Sequence, residues 1–208
     1  MSDDSKAIKL ANAIVNFAIE GKGPLCGAAE LARQYENDHS YRTLDEALAA
    51  LVRWESGKNF ATGFLTGVGG AVTLPVAIPT NLLAAYIVQA RLAAAIAHMN
   101  GHDLGDDRVK TFILLSLLGD AGREVLHTVG VTVANKTAMS ALKKLPGRVL
   151  IEINRKVGFR LLTKFGETGV INLVKVIPLA GGLVGGTVDA AACLAVGRTA
   201  QASFRKAA

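Results

Sequence analysis

Residues 59–90 read NFATGFLTGVGGAVTLPVAIPTNLLAAYIVQA, and this stretch contains no charged side chain. It is built mainly from Gly, Ala, Thr, Leu, Val and Ile, with prolines at positions 75 and 79. A second apolar stretch rich in glycine, VIPLAGGLVGGTV, occupies residues 176–188. Small residues allow helix backbones to approach one another closely. The two stretches therefore predict tightly packed helices and contact with a membrane surface.

Glycines recur in both stretches at the spacing of four that places them on one helix face. Paired glycines and prolines also interrupt helices, so each stretch predicts an apolar helical hairpin. The two hairpins share glycine pairs, an Ile-Pro step and a following Ala-rich helix, which indicates a weak internal repeat. The positions predicted to pack tightly or to contact a membrane are Gly63, Gly67, Gly70, Pro75, Pro79, Gly181 and Gly185.

The rest of the chain predicts a compact all-α fold. Of the 208 residues, 50% are hydrophobic and 19% are charged, and we find no strand pattern of useful length. We predict an N-terminal helical segment over 1–42 and a helical domain over 43–208. Apolar periodicity and capping signals predict helices over 6–20, 28–36, 80–99, 107–118, 146–164 and 187–205, and one that begins after Thr43 and continues past Phe60.

Positive charge is concentrated in the second half of the chain. Residues 1–104 carry a net charge of −2 and residues 105–208 one of +8. Residues 136–164 hold eight basic residues and one acid, Glu152, on a segment with helical amphipathicity. Such asymmetry favours an anionic partner, and the predicted lipid-headgroup residues are Lys143, Lys144, Arg148, Arg155, Lys156, Arg160 and Lys164.

The two cysteines, Cys26 and Cys193, are too few for a disulfide framework, and we expect buried free thiols in a reducing compartment. The first 23 residues contain early acids and no uninterrupted apolar core, unlike a secretory signal. The sequence therefore predicts a cytoplasmic protein that associates peripherally with the inner face of the membrane.

The glycine- and proline-rich motifs resemble those of the EcsC protein family. The resemblance rests on Gly63–Pro79, on Gln89-Ala90-Arg91 with Ile96-Ala97-His98, on Gly101-His102-Asp103, and on Ile177–Gly186 with Asp189. It covers roughly residues 45–206 and implies a bacterial protein or a eukaryotic relative. It implies no particular reaction and no catalytic residue.

Three charged residues lie in Ala-rich helices: Arg91, Asp189 and Arg198. We expect an ion pair between the two repeat-like units, because burying an unpaired charge is costly.

Two polar groups predict chemistry less specifically. His98 and His102 have helical spacing beside Asp103, but Gly101 ends the helix between them, and two histidines are fewer ligands than a zinc site needs. Asp120, Glu124 and His127 form half of a di-iron motif whose second half is missing. We therefore predict neither a metal nor another cofactor.

The sequence favours a membrane-associated helical protein that binds anionic lipid or a partner in a membrane complex. The alternative is an enzyme with a polar or metal site formed by His98, His102, Asp103, Glu124 and His127. Nucleic-acid binding is not favoured, because residues 136–164 contain only one aromatic, Phe159, on which a base could stack.

Overall fold

The computed structural model describes residues 3–60, 80–131, 145–172 and 178–205, with side chains described for 3–57, 83–131, 145–163 and 190–205. The prediction of an all-α fold is confirmed. The helices are α1 (Asp3–Glu20), α2 (Ala28–Glu36), α3 (Leu44–Phe60), α4 (Thr80–Met99), α5 (Asp107–Ser116), α6 (Ala121–Thr128), α7 (Gly147–Asn172) and α8 (Pro178–Phe204). Two short antiparallel strands, β1 (Gly21–Lys22) and β2 (Leu25–Cys26), form a hairpin between α1 and α2.

Helix α4 lies at the centre of the molecule and contacts α1, α2, α3, α5 and α8. Every residue from 83 to 97 is buried. A helix that is apolar on all sides is stable only when other elements surround it. Residues 80–90, the second part of the uncharged stretch, meet this condition because they belong to α4 and lie inside the protein. The first half of that stretch, residues 61–79, lies outside the described residues.

The end of α4 is fixed by a local motif that the sequence predicts. Gly101 adopts a positive φ of 75°, which glycine tolerates without a Cβ clash. The Gly101 amide donates to the carbonyl of His98 at 2.7 Å, and the His102 amide donates to that of Ala97 at 3.0 Å. This pair of hydrogen bonds is the Schellman motif. Asp106 then caps α5 by accepting from the Arg108 amide at 2.8 Å.

A capping box forms at the start of α3, with one change of partner. The Glu46 amide donates to the Thr43 hydroxyl at 3.2 Å. The Glu46 carboxylate accepts from the Arg42 amide at 2.7 Å, one residue earlier than in the usual reciprocal box. The predicted continuation of this helix past Phe60 lies outside the described residues.

Helix α8 is longer than the sequence predicts. We expected it to begin near Thr187, whereas it begins at Pro178 and includes the glycine-rich segment. Proline suits the first position of a helix, where its missing N–H is not needed. Glycine weakens a helix by only about 0.5–1 kcal/mol per residue, so packing of α8 against α3 and α4 can outweigh that preference. Glycine content alone was therefore a poor indicator of where this helix starts.

Close helix contacts occur at two glycines that the sequence analysis did not select. A Cβ added to Gly158 of α7 would overlap the carbonyl group of Ala7 in α1. A Cβ added to Gly197 of α8 would come within 2.8 Å of the Val52 side chain in α3. The glycines and prolines predicted for this role have backbones or side chains outside the described residues.

Two contacts at the end of α8 show how this helix is oriented relative to α3 and α4. Arg205, which directly follows α8, pairs with Asp45 near the start of α3 at 2.9 Å. His102, just past α4, contacts the carbonyl of Phe204, the last residue of α8, at 2.9 Å. Helix α8 therefore runs antiparallel to α3 and parallel to α4. As a result, the end of α3 and the starts of α4 and α8 lie on the same side of the molecule.

The first 42 residues share the hydrophobic core of the rest. Helix α1 packs on α7 and α4, and α2 packs on α4. Leu10, Ile14 and Leu31 belong to the same buried cluster as Ile87 and Ile153. Among the described residues, no helix is both long enough and apolar enough to cross a bilayer.

Candidate functional site

The basic segment forms the N-terminal part of α7, and its predicted amphipathicity is observed. Ile153, Val157 and Leu161 recur every four residues and are fully buried. This row faces the core, where α7 contacts α1, α5 and α6. The opposite side of the helix is left for the charged residues.

Arg155 holds two carboxylates on this outer side. Its Nε and Nη2 atoms donate to the two oxygens of Glu152 at 3.0 and 2.7 Å. Its Nη1 atom lies 2.9 Å from Asp4 in the first turn of α1. Lys156 lies 3.8 Å from the same Glu152. These pairs tie α7 to the N-terminus of α1.

The same pairs shift the acid–base properties of both partners. The hydrogen bonds from Arg155 lower the pKa of Glu152. The hydrogen bonds to Glu152 and then to Asp4 raise the pKa of Arg155. Glu152 and Arg155 are therefore both charged at neutral pH.

Arg160 links α7 to α6. Its Nη2 atom lies 2.9 Å from the Glu124 carboxylate, and its Nη1 atom donates to the Ala121 carbonyl at 3.4 Å. Glu124 was a candidate ligand of the partial di-iron motif. In the structure it is an ion-pair partner on the surface, and His127 is exposed.

The remaining predicted headgroup residues are placed as follows. Arg148 is exposed on the first turn of α7. Lys143 and Lys144 lie outside the described residues, as does the side chain of Lys164. Three of the four predicted basic residues whose side chains are described, Arg155, Lys156 and Arg160, therefore have a carboxylate partner. The pairs with Glu152 are local in sequence, whereas Asp4 and Glu124 are distant along the chain, so the sequence could not show the pairs that they form.

These three residues line a cleft between α7, α6 and the start of α1. The cleft has a volume of about 330 Å³ and is lined by Asp4, Val125, Thr128, Arg155, Lys156, Phe159 and Arg160. That volume is at the lower end of the range for small-molecule sites. One wall is apolar, from Val125 and Phe159, and the rest carries three cations and one carboxylate.

Two large apolar side chains are exposed on α7. Ile151 is 59% exposed and Phe159 is 48% exposed. Arg155 lies between them in sequence, four residues from each. The three side chains therefore lie along one side of the helix. Apolar side chains interleaved with arginine are suited to the boundary between headgroups and acyl chains.

The histidine and aspartate cluster at the end of α4 has structural roles. The His102 ring contacts the Phe204 carbonyl and packs on the Phe204 ring at a centroid distance of 5.2 Å. Asp103 accepts from the Gly105 amide at 2.8 Å. Asp106 caps α5. Across the part of the chain that the structure describes, no group of three or more His, Cys, Asp or Glu residues could hold a metal ion.

Arg91 forms a buried ion pair with a residue that the sequence analysis did not select. Its Nη2 atom lies 2.8 Å from Glu55 of α3, and both side chains are almost fully buried. Glu55 also accepts from the Tyr35 hydroxyl at 3.3 Å, and Arg91 Nη1 lies 3.5 Å from the sulfur of Cys26. Arg198 is exposed, and the side chain of Asp189 lies outside the described residues. The predicted ion pair between the repeat-like units depends on Asp189, so it lies outside the described side chains.

A signal for Glu55 was present in the sequence. Leu48, Leu51 and Val52 form the buried row of α3, and Glu55 falls in the same row at helical spacing. An acid in an apolar row requires a buried cation, and Arg91 is the corresponding charge in α4.

Of the two cysteines, Cys193 is buried as expected, whereas Cys26 is partly exposed; both are free thiols.

No family model, curated protein or solved structure matches this chain.

Proposed function

We propose that this protein binds anionic membrane surfaces peripherally through the outer side of α7. The observation that carries the proposal is the row formed by the exposed Ile151 and Phe159 with the half-buried Arg155 between them, with the exposed Arg148 on the same side. A membrane surface can take up the two apolar side chains while the arginines meet headgroups. Membrane contact would remove from water two large side chains that the fold itself leaves exposed.

The charge available for this contact is smaller than the sequence suggested. Each Lys or Arg near an anionic surface contributes about 1 kcal/mol, but Asp4, Glu124 and Glu152 pair with three of the four described cations on α7. The lysines of 136–144 and Lys164 add further positive charge in sequence. Binding therefore depends on both the apolar side chains and the charge, and it is reversible.

On the sequence evidence we further propose that the chain is an EcsC-family protein acting at the cytoplasmic face of a membrane. The described part of the family motif, Arg91 to Asp103, forms the centre and the C-terminal turn of α4.

The enzyme alternative is less well supported by the geometry. Glu124 is paired with Arg160, His102 is engaged with Phe204 and Asp103 accepts from the Gly105 amide, so three of its five residues already have structural partners.

Co-sedimentation with vesicles tests the proposal. Vesicles of phosphatidylcholine alone are compared with vesicles that also contain phosphatidylserine, at increasing salt. We expect binding only with phosphatidylserine and its loss as salt rises, because surface charges are screened within about 8–10 Å at physiological ionic strength. Equal binding to both vesicles, or none to either, contradicts the proposal.

A pair of variants tests whether α7 is the surface that binds. Ile151→Ser together with Phe159→Ser should weaken binding to the anionic vesicles. Trp54→Ser is the matched control, because Trp54 is a similarly exposed aromatic, at 53%, on α3. If the control weakens binding as much as the double variant does, the surface has been assigned to the wrong helix.

A further inference from the structure

We infer that the cleft between α1, α6 and α7 is a binding site for a phosphate monoester. The inference rests on the proposed function, since it names the chemical group that this face of α7 recognises. The phosphate can belong to a lipid headgroup or to a soluble molecule, and the same side chains would bind either one.

The first argument is the chemistry of the lining. Arg155, Lys156 and Arg160 lie within about one and a half turns of α7 and all border the cleft. A guanidinium presents paired N–H donors that match two oxygens of a phosphate, and lysine adds a point charge. Three cations around one cleft suit a dianion better than the single charge of a phosphodiester.

The second argument is that the carboxylates now paired with these cations can be displaced. Asp4 is 59% exposed, Glu124 is 69% exposed and Glu152 is 37% exposed. Ion pairs at such exposure contribute only about 0–1 kcal/mol. A phosphate that carries more charge and more acceptor oxygens can therefore replace Asp4 at Arg155 and Glu124 at Arg160.

The third argument is the apolar wall. Val125 is buried behind the cleft, and the ring of Phe159 stands at its edge, half exposed. This wall can contact the carbon atoms attached to the phosphate, whereas inorganic phosphate has none. The cleft therefore fits a phosphate ester better than free phosphate.

Removing a competing carboxylate gives the sharpest test. The probes are inorganic phosphate and glycerol phosphate, titrated into the full-length protein by calorimetry. Asp4→Asn frees the Nη1 atom of Arg155, while Glu152 still accepts from Nε and Nη2. It should tighten binding by about two- to fivefold, which corresponds to the loss of one exposed ion pair. Asp3→Asn is the matched control: it makes the same charge change one residue away, at a side chain that pairs with Lys6.

Removing a cation gives the opposite test. Lys156→Gln and Arg160→Gln should each weaken binding by about tenfold, the usual effect of losing a hydrogen bond to a charged group. Arg123→Gln, at an exposed arginine on α6 that does not line the cleft, should leave the affinity unchanged. Lys156→Gln also guards against misfolding of the Arg160 variant, because Arg160 joins two helices.

The outcomes separate this inference from the proposed function. Phosphate binding that responds to Asp4→Asn but not to Asp3→Asn supports the cleft. Equal responses to the two, or no binding of either probe, overturn it, even if anionic vesicles still bind. Vesicles with phosphatidic acid, a monoester, should then compete with glycerol phosphate more strongly than vesicles with an equal share of phosphatidylglycerol, a diester. If neither vesicle competes, the phosphate comes from a soluble molecule.

Discussion

At the scale of single residues, two features hold this fold together. One is the close approach of α1 and α7 at Gly158, where the chain has no room for a Cβ against Ala7. The other is the buried pair of Glu55 and Arg91, which joins α3 to α4 and reaches Tyr35 of α2. Both depend on residue identity more strictly than the surrounding Ala- and Leu-rich core does.

Gly158→Ala should lower the free energy of unfolding by about 1–3 kcal/mol, because the added methyl group must push two helix backbones apart. Gly57→Ala is the matched control. Gly57 lies in α3 with open space around it, and alanine there should stabilise the helix by about 0.5–1 kcal/mol. Urea unfolding of both variants provides the measurement, and a destabilisation of equal size in the two would show that the contact is unimportant.

Glu55→Ala should cost about 3–5 kcal/mol, because it leaves the Arg91 guanidinium buried without its carboxylate. Asp45→Ala breaks an ion pair that is exposed on both sides, Asp45 with Arg205, and should cost no more than about 1 kcal/mol. Thermal or urea unfolding of the two variants distinguishes the cases. A small effect at Glu55 would mean that water reaches the pair.

At the scale of elements, α4 is the helix on which the others pack. Its bounds, 80–99, match the prediction because strong local signals mark both ends: prolines before it and Asn100-Gly101 after it. The start of α8 was missed because its glycines favour a break locally, and only packing against other helices stabilises the longer helix. Local chemistry therefore determines helix ends where capping is strong, and tertiary contacts determine them elsewhere.

Burial in α4 also predicts a loss of stability in alkali. Burial raises the pKa of Tyr86 from its ordinary value of 10.0 to about 12, and burial beside Glu55 also raises that of Tyr35. The folded state therefore favours the neutral phenol. The neutral Tyr86 phenol therefore stabilises the folded state fully below pH 10. This stabilisation is lost as the pH rises toward about 12, because the tyrosine ionises first in the unfolded chain.

The test is the slope of unfolding free energy against pH across that window. Tyr86→Phe removes the ionisable group and should make the slope shallower, whereas Tyr41→Phe, at a partly buried tyrosine, is the control. The slope is informative because losing the hydroxyl can also lower stability by an amount that is the same at every pH. Such a loss shifts the whole curve of unfolding free energy against pH and leaves its slope unchanged. An unchanged slope for Tyr86→Phe would mean that this phenol is solvated in the folded protein.

At the scale of the whole molecule, the sequence predicted the class of fold and the basic helix, but not the surroundings of that helix. The buried row of α7 and its charged side follow from a period of four residues. The pairing of Arg155 with Asp4 joins residues that are far apart in sequence, and no local pattern indicates it. The cleft therefore follows only from the packing of α1, α6 and α7 against one another.

The central claim is that the outer side of α7 contacts an anionic membrane, and a single fluorophore tests it most directly. The chain has one tryptophan, Trp54, so Trp54→Phe combined with Phe159→Trp moves the only indole to the exposed side of α7. On addition of vesicles containing phosphatidylserine, we predict a blue shift of its emission and quenching by brominated acyl chains. The wild-type protein, with its indole on α3, should show neither change. If the indole at position 159 stays in water while the protein sediments with the vesicles, the claim is contradicted.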